Sequence, residues 1–157
     1  MLGLAAQWLG VNQTQANSVA PILISEEQGL HKSTFCRMLM PPQLARYYSD
    51  NLKLTAQGNP ERLLAEMGLL NMDEFDKFGA QKMPLLKNLM QMSSLNICKA
   101  YQKNFRSLPR IASFIGTSNR TDLLCDPTGS RRFICIEAEH DIDCTGIEHS
   151  QIYAQLK

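Results

Sequence analysis

The chain has 157 residues, room for one domain that buries about 70% of its unfolded surface. Its 44% hydrophobic and 20% charged content is ordinary for a soluble globular protein, and its longest apolar runs, such as Pro21 to Ile24, are far too short to span a bilayer. The net charge of +1 points to no partner, but its layout does: Lys77 to Thr121 holds eight basic residues and no acidic one, leaving eight basic against fifteen acidic elsewhere, a segregation that favours polyanions.

In chain order, Met1 to Gly10 is apolar but has no basic leader and no cleavage site, so it reads as a short amphipathic helix rather than a signal peptide. Residues 1–19 form a helical lead-in, and 20–157 form the core. Ala20 to Ser25 is a buried strand, followed by a polar turn and a helix from Lys32 to about Met40 that Pro41-Pro42 stops. Tyr47 to Leu54 holds a weaker strand. Asn59-Pro60-Glu61 starts a helix that ends near Gly68: an N-cap residue, proline at the first helical position and an acid in the first turn.

Leu69 to Asp73 is a strand with acids at its C-terminal end. Met83 to Met92 is a helix whose apolar stripe of Leu85, Leu86, Leu89, Met90 and Met92 packs on the core. Asn96 to Tyr101 and Arg110 to Thr117 read as the two strands of a hairpin joined by a basic loop. Arg132 to Glu137 is a further strand, and Glu148 to Leu156 begins a helix at which the sequence stops, as though the core were incomplete at that end. Short apolar runs alternating with helices make this an α/β domain with a mostly parallel central sheet flanked by helices. The five cysteines, Cys36, Cys98, Cys125, Cys135 and Cys144, are odd in number and form no CxxC pair. That excludes a zinc ribbon and a disulfide framework and suits reduced thiols in the cytoplasm.

Chemistry concentrates at strand ends. Gln28-Gly29-Leu30-His31-Lys32-Ser33-Thr34 lies between a buried strand and a helix, the setting of a phosphate-binding loop. Lys32 suits the β/γ-phosphates, Ser33 a Mg²⁺ ion, and Thr34 a cap or phosphate contact. The pattern G-x-x-x-x-G-K-[ST] would place glycines where Glu26 and His31 stand, and only Gly29 remains. By itself this segment reads equally well as an ordinary strand–helix turn. Asp73 and Glu74, 41 and 42 residues beyond Lys32, supply one carboxylate for a hydrated Mg²⁺ and one to orient an attacking water. Asn119, after the run Phe114 to Ser118, offers an amide for that water or the γ-phosphate, and Arg131 and Arg132 offer guanidiniums for a transferring phosphoryl group.

These motifs, Q-G-L-H-K-S-T-F, N-M-D-E-F, F-I-G-T-S-N-R and D-P-T-G-S-R-R-F, resemble the virulence-associated protein E group of P-loop ATPases along about Trp8 to Leu156. That group is related to superfamily-3 and poxvirus-type primase-helicases. The resemblance implies a P-loop NTPase with an AAA+/superfamily-3 helicase-like core. It also implies ATP and Mg²⁺ as cofactors and a homo-oligomeric, hexameric ring with ATP at its interfaces. Gln28, Gly29, His31, Lys32, Ser33 and Thr34 would bind nucleotide, and Ser33 and Asp73 would hold the metal. Glu74, Asn119 and Arg131 or Arg132 would act in catalysis, the arginine being offered to a neighbouring subunit. It further implies a hairpin that contacts DNA in the ring channel. Here that interval holds Lys99, Tyr101, Lys103, Phe105, Arg106 and Arg110, basic residues interleaved with aromatics as single-stranded DNA binding requires. The expected function is an ATP-driven motor core of a replication or mobile-element helicase. The alternative is a catalytically weak or inert P-loop module for nucleic-acid binding or assembly.

Overall fold

A computed structural model describes residues 1–10, 16–98, 105–120, 122 and 130–156. Helix α1 (Leu2–Leu9) leads into strand β1 (Ala20–Ile24), helix α2 (Lys32–Met38), strand β2 (Tyr48–Ser49), helix α3 (Pro60–Glu66) and strand β3 (Leu69–Met72). Helix α4 (Met83–Gln91) follows, then strands β4 (Ser94–Cys98), β5 (Phe105–Pro109), β6 (Ser113–Ser118) and β7 (Phe133–Glu137), and helix α5 (His149–Ala154). None of the helices among the described residues is long and apolar enough to cross a membrane.

Five strands form one sheet in the order β2-β3-β6-β1-β7, every pair of them parallel. The expected mostly parallel sheet is therefore present. The central strands β1, β3 and β6 carry helices on both faces, so their side chains are largely buried on both sides and their apolar runs are continuous rather than alternating. All six residues of β6 and all four of β3 are buried. On one face Ile22, Ile24, Leu70, Met72 and Phe114 pack with Leu64 of α3 and Leu86, Leu89 and Met90 of α4. On the other, Leu23, Leu69 and Ile115 pack with Leu4 of α1 and with Cys36 and Met40. The period-2 alternation of Ile22 and Leu23 divides β1 between these two cores.

The central strands sit close together because β6 carries Gly116 between β1 and β3. A Cβ there would lie 2.7 Å from Ile22 Cδ1 and 3.2 Å from the Met72 carbonyl oxygen.

Three expectations need correction. The hairpin shares Asn96–Cys98 with the first expected strand but does not include Arg110–Thr117. It is the antiparallel pair β4–β5, in a two-stranded sheet of its own, and Ser113–Ser118 is a central strand of the main sheet. The chain leaves the hairpin at Arg110, whose N–H donates to Ser93 O, and the N–H groups of Ile111 and Ala112 donate to Leu64 O, which steers it under α3 into the main sheet. The strand expected over Tyr47–Leu54 is only Tyr48–Ser49. Leu52 and Leu54 instead enter the core from irregular backbone. In α4, Leu85 is not part of the buried stripe but 40% exposed.

Candidate functional site

Parallel strands place their carboxyl ends along one edge, and a crevice opens there beside the strand where the order reverses. In this sheet β1 is that strand, with β6 on one side and the later β7 on the other. The register sets Ile24 beside Ser118 and Met72 beside Gly116, so the segments that follow β1, β3 and β6 emerge together. They line an open cavity of about 440 Å³ with Gln28 to Thr34, Asp73, Glu74 and Thr117 to Asn119.

Lys32 opens α2 and is only 7% exposed. Its ammonium donates to Asn119 Oδ1 at 3.0 Å, to the Glu27 carbonyl at 3.2 Å and to Ser25 Oγ. Burial pushes this ammonium below its usual range, and the charge of Asp73 pulls it partly back. A single oxygen, Asp73 Oδ1, accepts from Ser33 Oγ at 2.7 Å and from Thr117 Oγ1 at 2.6 Å. The lysine and the asparagine of the sequence motifs thus form one hydrogen-bonded group and the hydroxyl and the first acid a second, and both line the same cavity. Glu74 lies at its rim with φ 51°, its N–H donating to Thr117 Oγ1 at 3.3 Å and its carboxylate 2.6 Å from the Lys77 ammonium.

The loop before Lys32 turns through two left-handed residues close together. Gly29 has φ 86°, which glycine adopts freely. His31 has φ 57°, which costs a residue with a Cβ about 1–2 kcal/mol. The missing glycine at position 31 therefore does not abolish the turn. The histidine adopts the glycine-like conformation, and its Nδ1 lies 2.6 Å from Asp141 Oδ1.

Ser33 and Asp73 fit a Mg²⁺ ion in chemistry, being hard oxygen donors 2.7 Å apart at the cavity. Residues that the motifs did not single out also shape the site. Ser25 and Thr117 are hydrogen-bond partners of Lys32 and Asp73. Asp76 accepts from Ser118 Oγ at 2.8 Å, tying the segment after β3 to the end of β6. The sequence signal for Thr117 and Ser118 lay in their place beside Asn119; nothing local marked Asp76 or Asp141.

Arg131 and Arg132 are not brought to this cavity. They precede β7, whose first residue Phe133 pairs with Ala20, whereas the cavity opens beyond Ile24, four strand residues or about 13 Å further along.

Of the nucleic-acid residues expected from the sequence, Lys99, Tyr101 and Lys103 lie outside the described residues. Phe105 and Arg106 stand on β5, all of whose residues are exposed, Phe105 to 71%. Arg110 has a different role. It is 1% exposed, and its guanidinium donates to the carbonyls of Met90 at 2.8 Å and Leu89 at 3.4 Å, at the end of α4, and to Asn17 O at 2.5 Å. Its Cζ lies 5.6 Å from the centre of the Phe114 ring. The last carbonyls of a helix have no partner of their own, so a buried guanidinium there caps α4 instead of meeting a phosphate. Burial pushes it down to about 10.

Comparison with solved structures supports this architecture. Two structures of the C-terminal region of NrS-1, an apo form and an A-form apo structure, each match 98% of this chain at 22% identity, with TM-scores of 0.59 and 0.57. The chain spans 39% and 36% of their respective lengths, so the likeness speaks for the fold of this portion. Among curated proteins no sequence matches. The profile of the virulence-associated protein E-like domain matches residues 10–157, nearly the whole chain, and the protein belongs to that family.

Proposed function

We propose that this domain is a P-loop core that binds and hydrolyses ATP, with an AAA+/superfamily-3 helicase-like organisation, and that it drives a replication or mobile-element helicase on single-stranded DNA. One observation carries the reading: two hydrogen-bonded pairs, Lys32 with Asn119 and Ser33 with Asp73, line one cavity, with Glu74 on its rim. Lys32 exchanges its bonds to Asn119 and Ser25 for β/γ-phosphate oxygens. Ser33 and Asp73 hold Mg²⁺, which when bound neutralises charge on the phosphates. Glu74 orients the attacking water, and Asn119, released by Lys32, donates its amide to the water or the γ-phosphate. Arg131 or Arg132 reaches the cavity of the next copy in a hexameric ring, which agrees with their distance from their own. The exposed strand β5 with Phe105 and Arg106 contacts the DNA, and Lys99, Tyr101 and Lys103, which lie outside the described residues, are expected to add to that contact.

The alternative, a module that binds nucleotide without turning it over, is favoured by the tie between Glu74 and Lys77, which occupies the water-orienting carboxylate. DNA-stimulated ATPase measured together with ATP binding separates the two. Lys32→Ala should abolish binding, and Glu74→Gln should keep binding while lowering turnover by about 10² or more, as expected when a general base is lost. Turnover that persists in both variants refutes the site, and a parent that binds ATP without turnover selects the alternative.

A further inference from the structure

The turn before Lys32 is held from outside the loop. After β7, the Ala138 N–H donates to Ile24 O at 2.8 Å, extending the parallel pairing with β1 one step beyond Glu137. Four residues on, the Ile142 N–H approaches Leu30 O at 3.4 Å, and Asp141 Oδ1 lies 2.6 Å from His31 Nδ1. Further along, His149 and Tyr153 of α5 bond the carbonyls of Met38 and Leu39 at the far end of α2. The segment 138–153 thus grips both the loop and the helix that carry Lys32. At the loop, its grip falls on a residue in a left-handed conformation that a side chain disfavours. Asp141 does not itself line the cavity.

We propose that Asp141 is a positioning residue for nucleotide binding. By fixing the His31 ring it holds the left-handed turn that aims the loop's backbone and Lys32 into the cavity. A side-chain anchor replaces the conformational freedom of the missing glycine. This inference rests on the reading of the cavity as a phosphate site. It also makes a specific claim of dependence: a glycine at position 31 needs no anchor, so Asp141 matters only while residue 31 is histidine.

The test is calorimetric titration of Mg·ATP into the 157-residue chain and its variants, with folding checked by circular dichroism. Asp141→Ala should weaken binding about three- to fivefold, the scale of an exposed ion pair. Asp141→Asn should restore most of the affinity, since its amide oxygen still accepts from an imidazole N–H. In the His31→Gly background, Asp141→Ala should change nothing. Without nucleotide, the His31 ring resonances should move in Asp141→Ala. Parental affinity in Asp141→Ala overturns the inference. An equal loss in the His31→Gly background also overturns it, because Asp141 would then touch the nucleotide directly. If the parent binds ATP through Lys32 while Asp141→Ala is indifferent, this inference alone falls. A parent that binds no ATP removes the functional reading and this inference with it.

Discussion

Replacing Arg110 by methionine separates a structural arginine from a nucleic-acid ligand. Its guanidinium serves the carbonyls of Leu89, Met90 and Asn17, and no carboxylate among the described residues pairs with it. Methionine keeps much of the volume but leaves these acceptors without their donor. Each buried polar group left unsatisfied costs about 1–3 kcal/mol. Removing a buried charge that lacks a counter-ion gives part of this back by ending its desolvation. With two short contacts, to Met90 O and Asn17 O, and two long ones, to Leu89 O and Gln7 Oε1, the net loss is about 2–3 kcal/mol. At a urea m-value of about 2 kcal/mol per M, the unfolding midpoint should fall by about 1–1.5 M. Urea unfolding followed by circular dichroism measures it. Arg110→Lys should fall between the two, because one ammonium cannot span α4 and Asn17 together. A methionine variant as stable as the parent, but weakened in DNA binding at full folding, would refute the capping role and return Arg110 to the DNA face.

Gly116→Ala should lower stability by about 1–2 kcal/mol through overpacking. Ile22→Val removes the Cδ1 atom that a new Cβ would strike at 2.7 Å, so the double variant should be less destabilised than the sum, and strict additivity would show that the Met72 carbonyl is the true obstacle. Because burial lowers the proton affinity of Lys32 below its usual 10.5, the folded state sheds that proton before the unfolded chain does. The cost of its buried charge is present at neutral pH and is relieved as pH rises from the folded value towards 10.5, while ATP binding, which needs the ammonium, is lost over the same rise. ATP affinity should therefore decline on the alkaline side below pH 10.5 in the parent and hold in any binding-competent Lys32→Arg variant; parallel profiles would refute this. Lys103→Ala with Arg106→Ala should weaken single-stranded DNA binding and flatten the log–log salt slope by about 1.4, the release of two contacts at roughly 0.7 each. An unchanged slope would remove the hairpin from the DNA interface.

The motif residues were legible because each sits where a short apolar run stops. Ile24, Met72 and Ser118 end strands within one residue of where the sequence pattern ends them; Asp73 and Asn119 follow at once, and Lys32 opens the helix that follows Ile24. The hairpin was misread for a physical reason. β5 carries only Phe105 and Leu108 as large apolar residues and is exposed throughout, so it has no burial pattern to betray it. The buried run at 113–118 attracted the assignment instead. Arg110 was misread because a guanidinium inside a basic stretch looks the same in sequence whether it faces solvent or the carbonyls of a helix end.

The sequence by itself determined the parallel α/β class, since continuous apolar strands alternating with helices have few other ways to bury both faces. It also singled out the strand ends at which the candidate site residues stand. Only the tertiary structure decided that these ends converge, through the order β2-β3-β6-β1-β7, and that Thr117 and Ser33 share one oxygen of Asp73. It alone placed Asp141 against His31, 110 residues away, and turned a missing glycine into an anchored turn. Such contacts depend on where separate segments meet in space, and neither residue type nor spacing records that.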